Sequence, residues 1–345
     1  MAAAVPPFAV VPGAQVARAL AGREKELVEL VERTYRVHGS GGTVNPPSYF
    51  LRFPDRPSSR IIALPASLAG TGGTTGVDGI KWISSFPANV DRGIPRASAV
   101  LILNDPDTGY PYACLESSII SATRTAASAA SAADRLSRDR GRPRRIGFVG
   151  TGLIARYIHT FLVGTGWPAD DVAVFDLSAD SARGFAAHAS RTVPGAAVRL
   201  FDDVGSLVRA CDLVVFATVA GSPHVHDPDW FAHHPLVLNV SLRDLSAEIV
   251  LDAFNVLDDV EHCLKADTSP HLAEQRTGNR DFVAGTLDEV LAGTLTVPAD
   301  RTVVFSPFGL GVLDLAVGRY VYAHVARSGE LHTVDDFFHE LSRHG

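Results

Sequence analysis

Three charged residues stand where their chemistry would be costly to leave unused. Lys81 lies between Ile80 and Trp82, an apolar bracket in which an ammonium is expensive unless it is paired or functional. Only Lys25 and Lys265 accompany it in the whole chain. Such a lysine readily shifts its pKa and can polarise a carboxylate or exchange a proton; alternatively it belongs to an amphipathic strand and extends its ammonium to water. Arg124 sits among small residues, and positions 120, 121, 127 and 128, where a helical ion-pair partner would lie, are uncharged. It fits a bidentate clamp for a carboxylate, or a structural role between domains. Asp244 closes the run Asn239-Val240-Ser241-Leu242-Arg243 and reads either as an acid/base or as the N-cap of a following helix. Arg52, at the end of an apolar run, offers a further carboxylate contact, while Arg92 and Arg96 fit solvated loop charges.

A second set of residues points to a nucleotide. Ile146 to Val149 reads as a buried strand that breaks at Gly150, and Gly150-Thr151-Gly152-Leu153-Ile154-Ala155 then opens a helix. Gly150 permits the tight turn, Gly152 lets backbone approach a pyrophosphate, and the small Ala155 lets helix and strand pack closely. The helix N-terminus at Leu153 and Ile154 offers N–H groups to phosphate. A second strand, Val172 to Phe175, ends in Asp176, 26 residues after Gly150. A carboxylate there suits an adenosine ribose and repels a 2'-phosphate, so the cofactor expected is NAD. The alternative is a nucleotide-free α/β turn. Ligands bind outside the carboxyl ends of such strands, which brings in Thr218, Ser241 and Asp244 from two strand-following loops.

The elements that must position these residues fall into two parts. Strands are expected at 146–149, 172–175, 198–200, 213–217, 236–240 and 302–305, with helices between most of them: a doubly wound parallel α/β sheet. The N-terminal part reads as mixed α+β. It has a helix from Gly22 to Val37, short strands around 48–52, 59–65 and 79–83, and a hairpin across Asn104–Gly109. A small-residue helix from Glu116 to Leu136 leads through the linker 139–143 into the α/β part. Gly311 to Arg327 reads as a long helix returning to the first domain.

Composition narrows the class. A net charge of -7 gives no basic footprint for nucleic acid. Cys114, Cys211 and Cys263 show no CxxC pair and fit reduced thiols in a cytosolic protein, with no metal site. His224, His226, His233 and His234 lack partners at metal spacing and read as surface histidines. No apolar run reaches membrane-spanning length, and no secretory leader is visible.

Gly79-Ile80-Lys81-Trp82, Ala122-Thr123-Arg124-Thr125-Ala126-Ala127, Gly150-Thr151-Gly152, Asn239 to Asp244 and Ser306-Pro307-Phe308-Gly309 together resemble the ornithine cyclodeaminase/mu-crystallin family. The resemblance implies a Rossmann domain at 128–311. It also implies a substrate-binding and dimerisation domain from 1–127 and 312–345, completed by the C-terminal helix, in a homodimer. It makes Lys81 and Arg124 the substrate-carboxylate residues, Asp244 the catalytic aspartate, Arg52 a further carboxylate contact, and Phe308 and Gly309 cofactor neighbours.

Arg60 to Pro65, Gly79 to Ile83 and Arg96-Ala97-Ser98 to Pro106 look most like one branch, the 2,3-diaminopropionate biosynthesis dehydrogenases. That branch implies NAD-dependent oxidative hydrolysis of N-(2-amino-2-carboxyethyl)-L-glutamate for siderophore or peptide-antibiotic assembly. Arg96 and Ser98 would be further substrate contacts. The residues Ser241-Leu242-Arg243 replace the glycine-rich stretch of cyclodeaminases, which argues against ornithine cyclodeamination. The readings left open are an ornithine or lysine cyclodeaminase, another amino-acid or imine oxidoreductase such as an alanine dehydrogenase or ketimine reductase, and a non-catalytic nucleotide-dependent binding protein like the mu-crystallins.

Overall fold

The computed structural model describes residues 5–70, 75–339 and 341. It divides into two compact units, one of Met1–Gly22, Ser40–Arg124 and Leu310–Gly345, the other of Arg23–Gly39 and Thr125–Gly309.

The first unit is built on an eight-stranded mixed sheet. Its order is His332–Val334, Phe8–Val11, Pro111–Glu116, Ala97–Asn104, Val77–Ser85, Arg56–Leu68 and Thr43–Val44, with Tyr49–Phe53 also pairing along Arg56–Leu68. The expected hairpin forms between Ala97–Asn104 and Pro111–Glu116, and Asp105 accepts the N–H of Thr108 at 2.8 Å to fix its turn. Pro65 falls where the long strand has no outer neighbour, between the stretches paired to Tyr49–Phe53 and to Thr43–Val44.

Strand alternation sets what each sheet face carries. Lys81 lies opposite Leu64 and Leu101, so Lys81, Ile83 and Ser85 share a face with Arg60 and, one strand further, Arg52. The helix Gly311–Arg327 covers part of this face, with Leu315 beside Gly79 and Gly318 against Leu101. The opposite face carries Tyr49, Leu51, Trp82 and Val100, all exposed.

The second unit is an eight-stranded sheet with every pairing parallel. The order is Ala197–Leu200, Asp171–Phe175, Arg145–Val149, Leu213–Phe216, Leu236–Asn239, Val303–Ser306, Phe254–Leu257 and Val283–Thr286. All six expected strands are present. Their central runs, such as Leu213–Phe216 and Val303–Ser306, are buried at every residue, as strands covered on both faces must be. Phe254–Leu257 and Val283–Thr286 were not expected; each is only four residues long and carries no periodic signal.

One expectation needs correction. The helix read at Gly22–Val37 runs from Glu24 to Gly39 and belongs to the second unit, not to the N-terminal domain. Its partners explain this. The hydroxyls of Tyr35 and Ser128 lie 2.8 Å apart, and Glu32 accepts from Ser131 at 2.9 Å and from Arg135 at 3.0 and 2.7 Å. Among the described residues, no helix is long and apolar enough to cross a membrane.

Candidate active site

In the second unit the glycine-rich turn joins Arg145–Val149 to the helix Leu153–Gly164. Gly150 has φ +83°, and a Cβ there would meet the Ala217 carbonyl oxygen at 2.7 Å, so only glycine fits. Gly152 is different: a Cβ would meet nothing within 4 Å. The chain leaves space above its backbone, at an uncapped helix N-terminus whose dipole favours an anion. These residues fit a dinucleotide pyrophosphate. Leu153 is exposed beside this space and Ile154 half-buried. Asp176 closes the turn: one carboxylate oxygen accepts from Thr151 N at 2.8 Å and Thr151 Oγ1 at 2.7 Å, the other from Ser178 N at 2.9 Å.

A second loop of the same unit is held by a residue that sequence reasoning missed. Asp258 is fully buried and accepts from Phe308 N at 2.9 Å and Gly309 N at 2.7 Å, with the Cys263 thiol at 3.1 Å. Burial pushes the Asp258 carboxyl up from its ordinary range, against the opposing pull of those donors. It lies just after Phe254–Leu257, and without that strand its loop had no place at a sheet edge.

Asp244 is not a helix N-cap. Ser246 holds that position before Ala247–Asp252. Asp244 is instead 0% exposed, and three side chains converge on its carboxylate. Thr218 Oγ1 donates at 2.6 Å, Ser241 Oγ makes a second bond, and His224 Nε2 lies 2.9 Å away. Thr218, Ser241 and Asp244 are thus brought together as the strand-following loops predicted. His224, read from sequence as a surface histidine, is exposed as expected and is in addition a partner of Asp244. The residue before Arg243 and Asp244, Leu242, has φ +75°, a glycine-like conformation kept without glycine.

In the first unit, Lys81 is 2% exposed and does not reach water. Its ammonium donates to Asp314 at 2.6 Å and lies 3.4 Å from Ser121 Oγ. Arg124 Nε donates to the other Asp314 oxygen at 3.2 Å. The two predicted cations therefore converge on one buried acid of the helix Gly311–Arg327. Burial pulls the Lys81 ammonium down to about 8, with Arg124 adding to the effect and Asp314 opposing it. Asp314 was not foreseen, although an acid among Val312, Leu313 and Leu315 is the same kind of signal that marked Lys81.

Arg52, Arg60 and Arg96 form a second cationic group on the Lys81 face of the sheet. Arg52 pairs in register with Arg60, Arg60 with Ser85, and Arg96 donates to Ser85 Oγ at 2.6 Å. Burial lowers the pKa of Arg60, helped by Arg52, and that of Arg96, helped by Arg60. Among the described residues none of the three makes an ion pair with a carboxylate. Ser98 does not join them. It pairs with Ser84 on the opposite face, their hydroxyls 2.9 Å apart, because it alternates with the inward Ala97 and Ala99. Arg60 is the member that spacing alone did not single out.

The sequence model of the ornithine cyclodeaminase/mu-crystallin family matches residues 18–329. The nodulation efficiency protein NfeD of Rhizobium meliloti is 30% identical over 304 residues, covering 86% of this chain and 88% of that protein. The N-((2S)-2-amino-2-carboxyethyl)-L-glutamate dehydrogenase of Staphylococcus aureus is 27% identical, covering 77% of this chain and 79% of that one. Among solved structures, an archaeal alanine dehydrogenase dimer with bound NAD superposes with a TM-score of 0.83 at 25% identity, covering 96% of this chain and 99% of that chain.

Proposed function

Because the chain belongs to the ornithine cyclodeaminase/mu-crystallin family, we propose that it is an NAD-dependent dehydrogenase that cleaves N-(2-amino-2-carboxyethyl)-L-glutamate to L-2,3-diaminopropionate and 2-oxoglutarate. The broader class, an NAD-dependent oxidoreductase of amino-acid or imine substrates, is that of its relatives and structural neighbours. The observation that carries the narrower reading is the trio Arg52, Arg60 and Arg96 on the sheet face of Lys81, without a carboxylate partner among the described residues. A compact amino acid has one carboxylate and gives such a trio nothing to bind. The conjugate has three, and guanidinium groups, those of Arg60 and Arg96 half-buried, bind them well.

In this reading Lys81 and Arg124 hold the carboxylate next to the reacting carbon, with Asp314 fixing both cations. The arginine trio holds the distal carboxylates. NAD, on the turn of Gly150, Thr151 and Gly152, supplies a hydride acceptor. Removal of hydride from the glutamyl α-carbon leaves an iminium. Water activated at the cluster around Asp244 adds to it, and collapse of the carbinolamine releases the two products. Fixed cations provide the electrostatic contribution, and binding at several carboxylates the proximity. The product amine would feed siderophore or peptide-antibiotic assembly. Free Cys114, Cys211 and Cys263 support a cytoplasmic setting. The exposed face of Tyr49, Leu51, Trp82 and Val100 supports a homodimer.

The test is absorbance at 340 nm with NAD and the synthetic conjugate, and ornithine in parallel. Steady NADH growth with equimolar 2-oxoglutarate from the conjugate alone is the expected result. Ammonia from ornithine without net NADH would replace this reading with cyclodeamination. Silence in both cuvettes, with NAD bound, would leave a binding protein.

A further inference from the structure

The fully buried Asp244 has three of its roughly four acceptor positions filled by Thr218, Ser241 and His224. A carboxylate so enclosed is well placed to orient a neighbour and poorly placed to touch a substrate. His224 is the one of its partners whose ring opens outward, with its side chain 37% exposed. The imidazole is held from two directions. Its Nε2 lies 2.9 Å from Asp244 Oδ1, while the N–H groups of His224 and Val225 both donate to the Asp244 carbonyl at 3.0 and 2.9 Å. Val225 and Leu245 continue this as a parallel bridge.

We infer that His224 is the catalytic acid/base of the reaction and that Asp244 is a positioning residue acting through it. Pairing with the carboxylate puts the proton of the neutral imidazole on Nε2, which leaves Nδ1 as the base, and among the described residues nothing bonds Nδ1. As water adds to the iminium carbon, the C–O bond forms and a water proton passes to Nδ1. The imidazolium then gives that proton to the amine nitrogen. The C–N bond breaks with its electron pair staying on nitrogen, and the hydroxyl proton of the carbinolamine goes to solvent as the carbonyl forms. His224 ends as it began, and Asp244 stabilises the imidazolium between the two transfers.

The chemical step rests on the proposed reaction; the dyad itself does not, so two measurements separate them. Nitrogen-15 NMR of the protein at pH 8 should show His224 as the Nε2–H tautomer, with that preference lost in Asp244→Ala. In rapid kinetics with NAD and the conjugate, His224→Gln should keep a first-turnover burst of NADH and NAD affinity within twofold. Steady release of 2-oxoglutarate should fall 100-fold or more, the usual weight of a general base. A His224→Gln steady-state rate within threefold of the parent, or an Nδ1–H or mixed tautomer in the parent, overturns the inference. If the parent does not turn the conjugate over at all, the proposed function fails, and the tautomer alone decides whether Asp244 and His224 form the dyad.

Discussion

The ammonium of Lys81 and a carboxylate oxygen of Asp314, 233 residues apart in sequence, meet at 2.6 Å with almost no exposed surface on either side chain. A pair this buried owes little to solvent, and breaking it leaves a charge stranded. Asp314→Asn should lower unfolding free energy by about 3–5 kcal/mol, the usual cost of removing one partner of a buried pair. Urea unfolding of Asp314→Asn, Lys81→Met and the double variant measures this. Recovery of part of the loss in the double variant is expected; strict additivity would mean the two groups do not interact.

In the proposed reaction Lys81 should also set a pH limit on binding. Its ammonium is pulled down to about 8 by burial, from an ordinary 10.5. The carboxylate-binding form is therefore complete below that value and is lost as pH rises through it. KM for the conjugate should climb above pH 8, roughly tenfold per unit. The sign for stability is opposite. Between about 8 and 10.5 the unfolded chain holds the proton more tightly, so Lys81 makes the fold more stable, not less, as pH rises there. A KM that stays flat to pH 10 would refute the assignment.

Two glycines two residues apart should answer differently to the same substitution. Gly150→Ala forces a methyl against the Ala217 carbonyl at a backbone angle that L residues avoid, so thermal stability should drop. Gly152→Ala meets nothing in the chain. Its melting temperature should hold while the NAD dissociation constant rises tenfold or more. Calorimetry with NAD, beside a melting curve, distinguishes a ligand-facing glycine from a fold-required one.

Much of this was legible from the residues themselves, because the cost of charge in apolar surroundings can be read without coordinates. Lys81 and Arg124 were singled out on that ground, and the glycine turn with Asp176 followed from spacing. The same reasoning passed over Asp314, which lies inside a helix judged by its apolar positions. Strand parity hid two more facts. Ser98 and Arg60 acquire their faces only from register, and a one-residue shift reverses a face. His224 gave no spacing signal, since its bond to Asp244 spans a loop and the next strand. The short Phe254–Leu257 lay below any periodic window, and Asp258 went with it.

His159 carries a separate pH dependence, away from the chemistry. It is wholly buried beside Phe148 and Phe185, and among the described residues neither ring nitrogen has a hydrogen-bond partner. Burial, assisted by His188, holds its pKa at about 4, against an ordinary 6.5. Between those values the unfolded chain binds the extra proton, so stability is full above pH 6.5 and falls as pH drops towards 4. The loss should reach roughly 3 kcal/mol. Denaturant midpoints for the parent and His159→Leu at pH 7 and 4.5 should show the parent losing more.

Trp82, 43% exposed on the apolar sheet face, offers the test of assembly. Light scattering should give a dimer for the parent and a monomer for Trp82→Glu, because a charge cannot be buried there without a partner. A dimer that survives both Trp82→Glu and Val100→Glu would move the interface elsewhere.

The strand order of the parallel sheet has a consequence for synthesis. Val303–Ser306, last of its strands in sequence, lies between Leu236–Asn239 and Phe254–Leu257, both made earlier. Until residue 306 has been added, those two strands have a vacancy where their shared neighbour belongs, each presenting unpaired backbone in what will be the interior of the sheet. Such edges recruit other chains. A chain cut before residue 303 therefore lacks the strand that joins the first five strands of the order to the last two, and its sheet is left in two pieces. A nascent chain of this protein is safest when a chaperone shields those open edges until the final strand arrives.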